Sequence, residues 1–269
     1  MNVNKDWYDN IAIENGILDI PYEQINKERT KIGFGKYGIV YKTTCSLIEG
    51  DVAIKEIYIR NQECIENFIN EVRVHSLSRH RRIIQIYGIS RNVKKNLYYI
   101  VMEYANNGTL RDFLSKNNPV DLKERIRLAI QISEGISYLH NKLYISHRDL
   151  HAKNILIKNG NIKISDFGNS KCFINDQKNF ESHNVLDNSP FTFYKVSDIH
   201  SLGVILLELS NCRKTSHKEL ISKRCLKKDC LEIHEKSGMT SNLQLKPLEP
   251  VYLNTDKKSY IRAIQSPVF

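Results

Sequence analysis

The stretch KIGFGKYGIVYKTTC, Lys31 to Cys45, limits how this chain folds more than any other. Gly33, Gly35 and Gly38 form G-x-G-x-x-G, a spacing that lets backbone N–H groups approach phosphates but serves more than one architecture. A dinucleotide-binding turn requires a helix straight after its third glycine. Here Ile39, Val40 and Tyr41 continue as β-branched and aromatic residues. The glycines therefore lie in a lid between two strands, or in a plain turn without chemistry. EGDVAIKEIYI follows across a Gly50-Asp51 turn, and hairpin chemistry of this kind predicts three short antiparallel strands.

Residues 1–24 read as a leader, with a little helical character in WYDNIAIENGILDI before Pro21. From Gln62 to about Ser78, Ile65, Phe68, Ile69 and Val72 recur at helical spacing, predicting an amphipathic helix. IIQIYGIS and NLYYIVMEY predict two further strands. Thr109 with Asp112 caps a short helix, and Asp121 with Glu124 caps a long one reaching about His140. The apolar face expected for the long helix is Leu122, Ile126, Ala129, Ile130, Ser133, Ile136 and Leu139. NILIKNGNIKIS is a hairpin turning at Asn159-Gly160. SDIHSLGVILLELS is apolar nearly all round, which predicts burial on every side. Strands dominate up to Glu103 and helices follow, so the chain is expected to be α+β in two lobes, joined near Glu103 to Asn106.

Composition narrows the function classes. With 269 residues, 41% of them hydrophobic, the chain can bury a sizeable core. Its net charge of +10 invites a nucleic-acid reading, yet from Cys212 onward 12 Lys and Arg face 6 Asp and Glu, so +6 of the excess lies in one terminal segment. A basic tail of this kind is read as a solvated face, and nucleic acid is not the expected partner. No apolar run reaches the roughly 18 residues of a membrane span. MNVNKDWYDN is too polar to open a secretory signal, so a cytoplasmic location is expected. Cys45, Cys64, Cys172, Cys212, Cys225 and Cys230 form no dense framework and read as reduced thiols. Cys212, His217, Cys225, Cys230 and His234 can be drawn as a zinc site, but their spacing matches no common pattern.

Two polar features remain that this outline does not explain. Lys55 ends the strand VAIK, and an inward lysine there needs a carboxylate and an anion to hold; Glu71 lies on the apolar side of the following helix. SHRDLHAKNIL, Ser146 to Leu156, concentrates two histidines, an arginine, an aspartate, a lysine and an asparagine between apolar segments. Such a stretch is either a solvated turn or a site.

GFGKYGIV, VAIK, Glu71, HRDLHAKN and the triplet Asp166-Phe167-Gly168 occur in the order and spacing of eukaryotic protein kinases, which residues 25–211 resemble. The wording HRDLHAKNIL is most similar to the tyrosine-kinase-like group of Ser/Thr kinases. The resemblance implies a strand-rich lobe over 25–103, a helical lobe over 104–211 and a divergent basic segment over 212–269. It implies Mg-ATP as the phosphoryl donor and a protein hydroxyl as acceptor. By the same resemblance Asp149 takes the acceptor's proton, Lys55 paired with Glu71 grips the α- and β-phosphates, and Lys153 steadies the γ-phosphate. Asn154 and Asp166 would hold Mg²⁺, and Arg148 would meet the activation segment. Adenine would lie between Val40 and Ala53 above and Leu156 below, with Met102 behind it and backbone groups of Glu103 to Ala105 alongside.

Several residues depart from the family pattern. His183 and Asn184 stand where relatives carry the Pro-Glu anchor of the peptide platform, and no partner arginine is recognisable after Asn211. These losses leave open an ATP-binding pseudokinase that acts as a scaffold or allosteric partner. His75 stands in a column of side chains where relatives carry Leu or Met, and reads as a core histidine. His151 replaces a lysine common in Ser/Thr kinases, which keeps tyrosine specificity open. Ser170 and Ser182 are the candidate regulatory hydroxyls.

Overall fold

A computed structural model describes residues 6–35, 38–116, 120–173 and 190–211. The upper lobe is a six-stranded sheet of order β1-β5-β6-β4-β3-β2. Its strands are β1 (Leu18–Asp19), β2 (Thr30–Gly35), β3 (Gly38–Cys45), β4 (Ile48–Tyr58), β5 (Ile86–Asn92) and β6 (Leu97–Glu103). The β1–β5 pair is parallel and the other neighbours are antiparallel. Side-chain alternation along β4 and β6 sends Ile57 and Ile100 to one face and Ile54 and Val101 to the other, so each face has its own core. On the first face lie α1 (Asp6–Glu14) and α2 (Gln62–Leu77), the latter capped by the Asn61 side chain, which accepts from the Cys64 N–H at 3.0 Å.

The leader is more than a helical fringe. Strand β1 adds to the sheet edge, with Leu18 beside Gly88 and Asp19 beside Ile89, a pairing that apolar periodicity does not announce in two residues. Gly88 permits it. A Cβ there would stand 2.5 Å from the Leu18 carbonyl oxygen and 2.7 Å from Ile20 Cδ1. Tyr8, Ile11 and Ile20 are fully buried, and each such side chain stabilises the folded state by roughly 1.5–3 kcal/mol.

The strand expected from IIQIYGIS starts three residues late. Ile83 and Ile84 instead reach the lower lobe, where the Ile84 N–H donates to the Ile164 carbonyl at 2.9 Å and the Ile164 N–H to that of Arg82 at 2.7 Å. The lower lobe holds α3 (Leu110–Ser115), α4 (Leu122–Lys142), β7 (Ile145–Ser146), β8 (Ile155–Lys158), β9 (Asn161–Ile164), β10 (Lys171–Cys172) and α5 (Pro190–Asn211). The capping box of Thr109 and Asp112 forms on α3 as its sequence predicts. At α4 only half of the expected box forms. Asp121 accepts from the Lys123 N–H, while Glu124 turns to Arg127 at 2.6 Å. The turn of the β8–β9 hairpin has Asn159 and Gly160 at φ of 48° and 73°, the left-handed values a two-residue hairpin needs.

Two expected faces need correction. On α4 the buried row is Leu128, Ala129, Ile132, Ser133, Ile136 and Leu139, whereas Leu122 is 62% exposed and Ile126 and Ile130 are only partly covered. The helix is rotated by its closest approach to β9 at Gly135, where a Cβ would lie 2.6 Å from Ile164 Cδ1. α5 buries Leu202, Ile205 and Leu209, but within the expected stretch His200 and Gly203 are exposed and Ile199, Val204, Leu206 and Leu207 are only partly covered, so burial on every side is not met among the described residues. Among the described residues α5 packs against α4 and β7, and Glu208 bonds Arg111 of α3 at 2.6 Å. The sheet-rich upper lobe and helical lower lobe are the α+β bilobal arrangement the sequence predicts.

Candidate active site

Lys55 sits midway along β4 between Val40 of β3 and Ile100 of β6, so its ammonium points under the sheet rather than out to water. There Nζ donates to Glu71 Oε2 on α2 at 2.6 Å and to Asp166 Oδ1 beyond β9 at 2.9 Å. Lys55 and Glu71 are both buried. Burial works against the Lys55 charge, but the Glu71 and Asp166 carboxylates outweigh it and raise its pKa. Burial likewise opposes charge on Asp166, and the Lys55 cation reverses the balance, holding this carboxyl below its usual range. The amine is thus a fixed cation. Asp166 itself adopts φ +68°, a left-handed backbone that the bonds around it must hold.

The polar loop Ser146–Leu156 is suspended from one carboxylate that the motifs did not reveal. Asp198, buried in α5, accepts the backbone N–H groups of His147 at 2.7 Å and Arg148 at 2.8 Å, the Ser146 hydroxyl at 2.8 Å, and lies 2.8 Å from His140 Nε2. Burial pushes its pKa up, and the contact with His140 with the other donors pulls it below the usual range. The signal was present in SDIHSLGVILLELS. An acid inside a helix apolar nearly all round needs buried donors.

Past this anchor Arg148 takes φ +65° and Asp149 presents a half-exposed carboxylate. Asn169 Nδ2 donates to Asp149 Oδ2 at 3.3 Å, and His151 Nε2 stands 3.7 Å from Oδ1. Asn154 Nδ2 donates to the Asp149 carbonyl at 2.8 Å, and the Ser165 N–H donates to the Asn154 carbonyl at 3.0 Å. Asn154 is therefore tied beside Asp166, and with its amide nitrogen engaged, Oδ1 is the atom left to accept. One carboxylate and one amide oxygen suit a hard cation.

Val40, Ala53, Met102, Ala105 and Leu156, expected around adenine, converge on a single apolar cluster that bridges the lobes. Glu103 does more than lend backbone groups. Its N–H donates to the Gln85 carbonyl at 2.9 Å, and its carboxylate accepts from Lys158, Lys163 and the Gln85 N–H at 3.0, 2.9 and 3.1 Å. Burial alone would raise the Glu103 pKa, and the two lysines lower it. In the glycine-rich hairpin, Gly33 pairs with Val40 and Gly35 with Gly38; Lys36 and Tyr37 lie outside the described residues. Gly38 admits no side chain, since a Cβ would stand 2.2 Å from the Glu56 carbonyl oxygen.

Phe167 is packed between His75, edge-on at 4.8 Å, and His147 at 5.0 Å. His75 is the core histidine expected. Burial lowers its pKa to about 4, and Nδ1 meets the Ile84 carbonyl at 3.0 Å. The Arg148 guanidinium lies over the Tyr194 ring of α5 at 4.7 Å, and most of the activation segment it is expected to meet lies outside the described residues. Ser170 does not fit a regulatory hydroxyl, because it is buried and donates to the His147 carbonyl at 3.1 Å. Lys153 is exposed on the loop. Ser182, His183, Asn184 and the proposed zinc ligands from Cys212 onward lie outside the described residues. Among the described residues no group of three or more His, Cys, Asp or Glu is arranged to hold a metal, and Cys45, Cys64 and Cys172 are free thiols.

An ammonium held between two carboxylates lies on a bilobal fold whose lobes share an apolar cluster and whose upper sheet carries the glycine-rich hairpin, and this combination points to the kinase class. The chain belongs to the protein kinase family, whose domain model matches residues 26–259. It is 30% identical over 223 residues to a leaf-rust-10 disease-resistance-locus receptor-like protein kinase of Arabidopsis thaliana, covering 76% of this chain and 32% of that protein. It is 34% identical over 202 residues to a G-type lectin S-receptor-like serine/threonine-protein kinase of the same plant, covering 69% and 24%. With an LRR receptor-like serine/threonine-protein kinase of Oryza sativa it shares 31% over 208 residues, covering 71% and 21%. The chain thus spans at most a third of these relatives' length. No described helix is long and apolar enough to cross a membrane.

Proposed function

We propose that this chain is an ATP-dependent protein kinase that phosphorylates Ser or Thr hydroxyls of protein substrates in the cytoplasm, with residues 25–211 as the catalytic unit and 212–269 as an appended basic segment. The observation that carries the reading is the simultaneous bonding of Lys55 to Glu71 and Asp166, which ties both lobes to one cation beside the loop bearing Asp149. Lys55 meets the α- and β-phosphates. Asp166 and Asn154 would hold Mg²⁺, which would supply charge neutralisation on the phosphate oxygens. Asp149 accepts the proton of the acceptor hydroxyl as its oxygen bonds to the γ-phosphorus. The bond from that phosphorus to the bridging oxygen breaks, and its electron pair leaves with ADP. Asn169 and Asn154 keep the Asp149 segment oriented for this.

The test is incubation of the purified chain with γ-labelled Mg-ATP and a generic protein acceptor, beside the Asp149→Asn variant. Labelling is expected to fall by about 100-fold or more in the variant while ATP binding persists. Undiminished labelling in the variant would remove the role given to Asp149. Tight ATP binding without labelling by either protein would favour the second reading, a pseudokinase scaffold, which the replacement of the Pro-Glu anchor by His183-Asn184 supports.

A further inference from the structure

Asn70 occupies the position before Glu71 on α2, and its side-chain nitrogen makes three contacts across the lobe boundary. Nδ2 donates to the carbonyls of Phe167 at 2.9 Å, Gly168 at 3.1 Å and Ser170 at 2.7 Å. Two amide protons shared among three carbonyls fix both the distance and the rotation of that segment relative to α2.

The consequence follows from chain connectivity. Glu71, the next residue, sets Lys55 from the α2 side, and Asp166, one residue before Phe167, sets it from the other. Asp166 is held at φ +68°, and the turn that follows is closed by the Ser170 N–H to the Phe167 carbonyl at 3.0 Å. Ser170 is pinned in addition by its hydroxyl to the His147 carbonyl, next to the loop carrying Asp149. If α2 swung away, Glu71 would leave Lys55. If the turn relaxed, Asp166 would leave it. A donor that bridges α2 and the turn makes both movements unfavourable at once.

We propose that Asn70 is a positioning residue for phosphoryl transfer: it locks α2 to the Asp166–Ser170 turn, so that Glu71, Lys55 and Asp166 are held together before any nucleotide binds. This rests on the kinase reading above, and it predicts an effect on the rate of transfer more than on nucleotide affinity. Asn70→Asp keeps the side chain's shape but replaces the donor with a carboxylate that repels all three carbonyls. Asn70→Ala removes the donor without adding charge.

Two readouts on the full chain test this. In steady-state assays kcat is expected to fall between about 10- and 100-fold in both variants, with KM for ATP changed less than about threefold. Amide hydrogen exchange of the peptide spanning residues 165–173 should accelerate about tenfold or more in both variants, while peptides of α4 keep their wild-type rates. Wild-type kcat in both variants, or unchanged exchange at 165–173, overturns the proposal. Faster exchange throughout the chain also overturns it, since Asn70 would then be a general stability residue. If the wild-type chain transfers no phosphate, the kinase reading fails on its own, and the exchange measurement still decides whether Asn70 locks the turn.

Discussion

At the residue scale, His75 carries a clear pH signature among the described residues. Its imidazole is buried against Phe167 with a pKa lowered to about 4, whereas the unfolded chain binds a proton near the ordinary value of 6.5. Stability from this residue is therefore complete above pH 6.5 and is lost as the pH falls toward 4, because the unfolded state takes up the proton first. His75→Leu removes that linkage. Relative to wild type, the variant should gain about 2 kcal/mol between pH 7 and pH 5 in urea unfolding, and an equal pH slope in both proteins would refute the assignment. Asp198 is a second residue with a sharp expectation. Truncating it to alanine strands two buried backbone donors and His140, so Asp198→Ala should lose roughly 3–5 kcal/mol of stability, measured by thermal unfolding.

At the element scale, the leader is part of the upper lobe rather than an appendage. Trp7 and Tyr8 pack against Phe68 of α2 and Tyr98 of β6, with Trp7 to Phe68 at 5.5 Å and Tyr8 to Tyr98 at 5.7 Å, and β1 crosses directly over Gly88. Gly88→Ala should therefore displace β1 and expose the leader to limited proteolysis near Leu18 while leaving β4 and β6 protected. Cleavage at the wild-type rate would show that the leader tolerates the extra methyl. The capping box of α3 and the Asn-Gly hairpin were legible because each is settled by residues a few positions apart. The leader strand was not, since its partner lies about seventy residues on and the enabling feature is the absence of a side chain there. The α4 face was misread for a related reason. Periodicity fixes that a helix has an apolar side but not the rotation at which Gly135 meets Ile164.

At the scale of the whole molecule, the two lobes are coupled through polar contacts around Lys55, Asn70 and Glu103 and through the apolar cluster they share, where the proposed nucleotide would touch both. Mg-ADP at about 100 times its dissociation constant should stabilise the folded chain by about 2.7 kcal/mol, read as a rise in melting temperature, with Lys55→Met showing much less; no shift in the wild type would argue against an open nucleotide slot. The sequence by itself determined the lobe order, and its resemblance to the kinase family singled out Lys55, Glu71, Asp149, Asn154 and Asp166, because the short motifs that carry the resemblance are written in consecutive residues. Only the tertiary structure decided that Asn70 bonds three carbonyls nearly a hundred residues away, that Asp198 suspends the polar loop, and that Arg148 rests on Tyr194. These contacts depend on how α2, α5 and the hairpin are brought together, and a hydrogen bond between distant segments leaves no periodicity in either of them.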